Sequence, residues 1–187
     1  MNPLSLWERV GVRVFPRRRS CERRMRTRTP GLNTAMSAEL KPVALNIPGT
    51  DDAWTPSMED MPFHRLGGEE GVKALAHAFY DAMDAHEPAL ARLHELDEQG
   101  RVSQGMRERF GLFLIGWLGG PQHYMQKHGH PRLRMRHGHF PVDLAMRDAW
   151  VRSMQRAMDA RGVKGGVRRF LDHRFAEVAD FLRNVEG

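Results

Sequence analysis

The chain has 187 residues, enough for one domain of ordinary size with an extension and too few for two full cores. Its 29 Lys and Arg against 23 Asp and Glu give a formal net charge of +6, which taken alone invites a nucleic-acid partner. Residues 1–36, however, carry nine Arg against two Glu, a net +7, which leaves −1 for the rest of the chain. The basic excess belongs to the tail, and a nucleic-acid role for the body is disfavoured.

In chain order, residues 1–36 show no sustained period of 2 or 3.6, and their Arg density with Pro16 and Pro30 predicts a solvated, disordered tail. A transit peptide, a nucleic-acid arm, or a translation start at Met36 that leaves this piece untranslated are the alternatives. The sole cysteine, Cys21, lies here, so the body is expected to have no disulfide and no thiolate chemistry. Residues 37–62, with four prolines and several acids, read as an irregular leader, and the folded domain is expected over 63–187.

Beyond Gly67-Gly68, the positions Val72, Leu75, Ala76, Phe79, Tyr80 and Met83 trace one face of a helix that ends near Pro88. A second stripe, Met106, Phe110, Phe113, Leu114, Trp117 and Leu118, stops at Gly119-Gly120-Pro121. A third helix follows Pro141 with Asp143 as its N-cap and is expected to bury Leu144, Trp150, Val151, Met154 and Met158. The last, after Gly165-Gly166, uses Val167, Phe170, Leu171, Phe175, Val178, Phe181 and Leu182. No alternating strand pattern occurs, which predicts an all-α class. The longest apolar run, Phe110 to Leu118, is broken by Gly111 and Gly116, so no membrane span is expected. Glu8, Arg9 and Arg13 interrupt the only place for a secretory signal, which makes a cytoplasmic location the expectation.

Between the second and third stripes, Pro121 to Pro141 is weakly periodic and rich in Gly, Pro, His and Arg, the composition of a segment with a purpose. His128, His130, His137 and His139 crowd into it, as two His-x-His pairs that could ligate zinc or copper. Arg132, Arg134 and Arg136 would repel a cation, and surface polar roles account for most single histidines. A third arrangement uses both residue types: one imidazole holding a haem iron while arginines pair with the propionates. The Met- and Phe-rich stripes would then line a haem slot, or serve simply as core. Gly67-Gly68-Glu69-Glu70-Gly71-Val72-Lys73 fails the spacing of a phosphate loop.

The run Gly129-His130-Pro131-Arg132-Leu133-Arg134-Met135-Arg136-His137, then Phe140-Pro141 and Arg147-Asp148-Ala149-Trp150, resembles the group II truncated haemoglobins. Leu66-Gly67-Gly68, Phe79-Tyr80 and Gly116-Trp117-Leu118-Gly119-Gly120-Pro121 match the same family in order, so the resemblance spans about residues 63–184. It implies a globin-like two-over-two helical sandwich carrying haem b, with His137 as the proximal iron ligand. It also implies a distal pocket formed by Tyr80, His94, Met106 and Trp150. Phe110, Phe113, Leu114 and Trp117 would line the haem, and Arg109, Arg134 and Arg136 would partner its propionates. His139 stands where relatives often carry proline.

The function so implied is reversible binding of dioxygen, CO and NO at a pentacoordinate iron, in storage, transport or sensing. NO-dioxygenase or peroxidase-like turnover would need an external reductase, because the sequence carries no flavin or dinucleotide fingerprint. A homodimer is an expectation of the same standing. The competing classes are a haem-free globin-like sensor or interaction module, and a non-haem His-rich metal protein.

Overall fold

The computed structural model describes residues 53–186. The basic tail, Cys21, Met36 and most of the leader lie outside the described residues.

Helix α1 (Pro62–Arg65) is a single turn opened by proline at its first position, where a missing N–H costs nothing. Ahead of it, Trp54 packs edge-on against Phe170 at 5.8 Å and donates its indole N–H to Asp60 at 2.8 Å. Helix α2 (Gly68–His86) buries all six predicted positions from Val72 to Met83. Phe79, Leu75 and Met83 are at most 1% exposed, and each contributes about 1.5–3 kcal/mol by leaving water. The α1–α2 turn folds back so tightly that a Cβ on Gly71 would lie 1.7 Å from the Leu66 carbonyl oxygen, which explains a glycine inside a helix.

A short helix α3 (Pro88–Ala91) leads into a loop over residues 92–103, closed by an isolated bridge between Leu96 and Val102. Asp97 organises the loop tip by accepting backbone N–H bonds from Gln99 and Arg101, both at 2.9 Å, and the bonds hold its carboxyl below the usual range. Helix α4 (Gln104–Trp117) is capped by Ser103, whose side chain accepts from the Met106 N–H. Its end is finished by Gln122, whose amide donates to the carbonyls of Gly116 and Gly120. Gly119 carries φ +102°, where a Cβ would strike Met61 at 2.7 Å.

The weakly periodic stretch after Pro121 contains two short helices, α5 (His123–His128) and α6 (Leu133–His137). Helices this short hold too few turns to show a hydrophobic period. Helix α7 (Leu144–Ala160) starts at Asp143, whose Oδ1 accepts the Met146 N–H at 2.8 Å, as its sequence predicts. Its buried face differs from expectation: Leu144, in the first turn, is 37% exposed, and Trp150 and Val151 are half-buried. The buried line is Ala149, Ser153, Met154, Ala157 and Met158. Three of these are small residues four apart, which lets α7 lie close against α2, and the Ser153 hydroxyl is satisfied by the Ala149 carbonyl at 2.9 Å. Helix α8 (Gly165–Phe181) buries Val167, Leu171, Phe175 and Val178 and leaves Phe170, Phe181 and Leu182 partly exposed.

The described residues are all-helical apart from the isolated bridge, and they pack as a two-over-two sandwich. Helices α2 and α4 make one pair, α7 and α8 the other, with α2 packed against both α4 and α7. Trp117 of α4 stacks on Phe175 of α8 with ring centres 5.1 Å apart, closing the core between the pairs. Among the described residues no helix is long and apolar enough to cross a membrane.

Candidate functional site

The two pairs separate at one end to leave a cavity of about 400 Å³, within the usual range for a small-molecule site. Tyr80 enters it from α2, His94 and Glu95 from the loop, Met106, Arg109, Phe110 and Phe113 from α4, Arg136 and His137 from α6, and Trp150 from α7. Nine of the twelve residues singled out from the sequence therefore share one cavity. Leu114 and Trp117 do not line it; they are 1% and 2% exposed in the core between helices. Arg134 also stands outside the lining, with its guanidinium 5.2 Å from the centre of the Phe181 ring.

His137 is the last residue of α6, and its Nδ1 lies 2.7 Å from the Leu133 carbonyl one turn back. A carbonyl only accepts, so Nδ1 carries the proton and Nε2 keeps the lone pair that a metal needs. The turn behind His137 is stapled by Asn184, beyond the end of α8. Its Nδ2 donates to the carbonyls of His137 at 3.0 Å and Phe140 at 2.9 Å, while its Oδ1 accepts the Val142 N–H at 2.9 Å. No sequence signal marks this residue, because each contact joins positions more than forty apart.

Across the cavity, Tyr80 is 4% exposed, and burial pushes its phenol well above the usual range, so the hydroxyl remains a donor at any physiological pH. Neither that hydroxyl nor the Trp150 indole N–H finds a hydrogen-bond partner among the described residues. Phe79 and Phe110 contact both rings, with centres 4.9 to 6.5 Å apart, and fix their spacing. His94 adds a third polar side chain to the cavity. Its Nδ1 lies 3.0 Å from the Leu90 carbonyl and burial lowers its pKa, so the neutral ring presents an Nε2 lone pair. It offers the cavity an acceptor.

Three arginines edge the cavity. Arg109 has no acidic or hydrogen-bonding partner among the described residues, Arg136 donates Nε to the Pro131 carbonyl at 3.0 Å, and Arg147 pairs with Asp148 at 2.7 Å and Asp180 at 3.2 Å. Arg147 was part of the sequence motif without a role of its own. No cluster of three or more His, Cys, Asp or Glu side chains fit to hold a metal occurs among the described residues. His130 instead accepts the Arg132 N–H through Nδ1, at 3.1 Å. An apolar slot with the free imidazole nitrogens of His137 and His94, two unpaired donors and cations at the rim fits a haem and its two carboxylates.

Comparison with known proteins agrees with this geometry. The model of the bacterial-like globin family matches residues 62–184. The Group 2 truncated hemoglobin YjbI of Bacillus subtilis is 37% identical over 125 residues, covering 66% of this chain and 88% of that protein. Among solved structures, the group II truncated hemoglobin of Bacillus anthracis superposes with a TM-score of 0.61 at 33% identity, covering 68% of this chain and 98% of that one. A truncated oxygen-avid haemoglobin from Bacillus subtilis gives 0.58 at 33% identity, covering 66% and 99%. The chain belongs to the bacterial-like globins, in their group II truncated haemoglobin branch. Membership implies a haem cofactor and binding of diatomic gases.

Proposed function

We propose that the protein binds dioxygen reversibly, and CO and NO as well, at a haem b that His137 holds through Nε2. The observation that carries this reading is the polarity of the cavity. A proximal imidazole has its proton tied to the Leu133 carbonyl, and the Tyr80 hydroxyl and Trp150 indole N–H lie unpartnered on the other walls. When bound, the haem supplies a ferrous iron with one coordination position for a small gas. Tyr80 and Trp150 donate to a ligand that gains negative charge, which favours dioxygen over CO. Phe110, Phe113 and Met106 exclude water, and Arg109 and Arg136 pair with the propionates. The "oxygen-avid" relative from Bacillus subtilis supports the same direction.

The test is an absorption spectrum of the purified protein with and without dithionite, for wild type and His137→Ala, followed by extraction with acid butanone. An intense Soret band that collapses or shifts in the variant, with the pigment passing into the butanone, is the expected result. A protein that stays colourless after haem is added would overturn the proposal.

A further inference from the structure

The Tyr80 phenol is held only through its ring, since its hydroxyl has no partner among the described residues. Phe79, Phe110 and His94 contact that ring at 4.9, 5.6 and 5.5 Å, and the fourth neighbour is a charge. The guanidinium carbon of Arg107 lies 5.8 Å from the ring centre. Arg107 is 8% exposed, so its charge is buried beside the cavity wall rather than solvated.

What keeps that charge in place is spread over α2 and the loop ahead of α4. Nη1 donates to the His77 carbonyl at 3.1 Å and to Asp81 at 2.7 Å, and Nη2 donates to Asp84 at 2.6 Å. These acceptors stand three residues before, one after and four after Tyr80 on α2, bracketing it. Nε donates to the Val102 carbonyl at 3.0 Å, and the other oxygen of Asp84 accepts the Val102 N–H at 3.0 Å. Four of the five guanidinium N–H groups are thus spent on the fold, and the planar fork has no freedom left to leave the Tyr80 ring. Its neighbours in sequence, Met106 and Arg109, line the cavity while Arg107 faces α2. One side chain therefore sets the register of α2 against α4 and ties down the loop that bears His94.

We propose that Arg107 is a positioning residue for the distal pocket, fixing the Tyr80 ring so that its hydroxyl stays directed at the gas ligand. The proposal rests on the reading of Tyr80 as a ligand donor. It assigns a pocket function to a charge that otherwise looks like an interhelical strut.

The test is a double-mutant cycle on the full-length, haem-loaded protein: wild type, Arg107→Met, Tyr80→Phe and the double variant. Dioxygen dissociation should accelerate about tenfold in Arg107→Met when Tyr80 is present, and less than about twofold in the Tyr80→Phe background. Equal acceleration in both backgrounds, or none in either, would overturn the proposal. Tyr80→Phe alone leaving dissociation unchanged would instead refute the donor reading.

The hold on the ring is then read separately. The chain has two tyrosines, so ¹³C-tyrosine NMR of the ferrous CO complex gives ring signals that Tyr80→Phe assigns. Arg107→Met should move the Tyr80 signals and leave those of Tyr124 in place, and unmoved Tyr80 signals would overturn the proposal on their own. Arg107→Met orphans the Asp84 carboxylate, so Arg107→Met with Asp84→Asn, which keeps the acceptor for Val102, is measured beside it. Arg107→Lys keeps the charge without the fork and should show the same dependence on Tyr80 at about threefold; its absence counts against the proposal equally.

Discussion

Removing both distal donors, in Tyr80→Phe with Trp150→Phe, is the perturbation that most directly reads the pocket. Each substitution deletes one N–H or O–H of a cavity-lining side chain that has no other partner among the described residues. A hydrogen bond to a ligand with charged character is worth about 1.5–3 kcal/mol, and about 1.4 kcal/mol corresponds to tenfold. Each single variant should therefore release dioxygen about 10- to 100-fold faster. Both donors act on one ligand and share Phe79 and Phe110 as neighbours, so the effects should fall short of multiplying in the double variant. CO, which draws less on the donors, should dissociate at nearly the same rate in all four proteins. Stopped-flow replacement of dioxygen by CO measures the first rate, and replacement of CO by NO the second, on the same preparations. Unchanged dioxygen release in the double variant would refute the reasoning, and so would equal acceleration of both gases, which would mean loosened packing.

Two further expectations concern the scaffold. Glu87, between α2 and α3, accepts from Arg152 at 2.8 Å and Arg156 at 3.0 Å, and these bonds hold its carboxyl at about 2. A folded-state value below the unfolded one contributes stability above the ordinary carboxylate range, which is lost as pH falls toward about 2. Glu87→Gln should cost about 1 kcal/mol at neutral pH, and urea midpoints taken at decreasing pH should converge with those of wild type. A gap that persists at the acid end would count against the pairing. Gly71→Ala places a methyl against the Leu66 carbonyl and should lower the melting temperature by about 10 °C, read by circular dichroism. An unchanged melting temperature would mean that the α1–α2 turn is free to move away.

The long helices were legible because large apolar residues recur on one face: every predicted position of α2 is buried, and Asp143 caps α7. The buried face of α7 was not, since Ala149, Ser153 and Ala157 carry little hydrophobic weight although their smallness is what lets the helices approach. Phe110, Phe113, Leu114 and Trp117 sit in one sequence stripe, yet the helical rotation between them turns the last two inward, and Trp117 is claimed by Phe175. At the site, Tyr80, His137 and Trp150 could be named through motifs that resemble a known family. Arg107, Arg147 and Asn184 could not be read in the same way. Asp84, Asp180 and the His137 carbonyl, their partners on other elements, lie tens of residues away, and only the fold brings them together.

The Asn184 staple makes the final turn of the chain part of the wall behind His137, although 47 positions separate the two residues. The next residue, Val185, is 41% exposed and points away from the packed interior. A fluorophore or spin label attached there would report on the wall behind His137 from outside the cavity, leaving the aromatic lining untouched. Position 185 is thus a place to listen to the His137 side of the pocket without entering it.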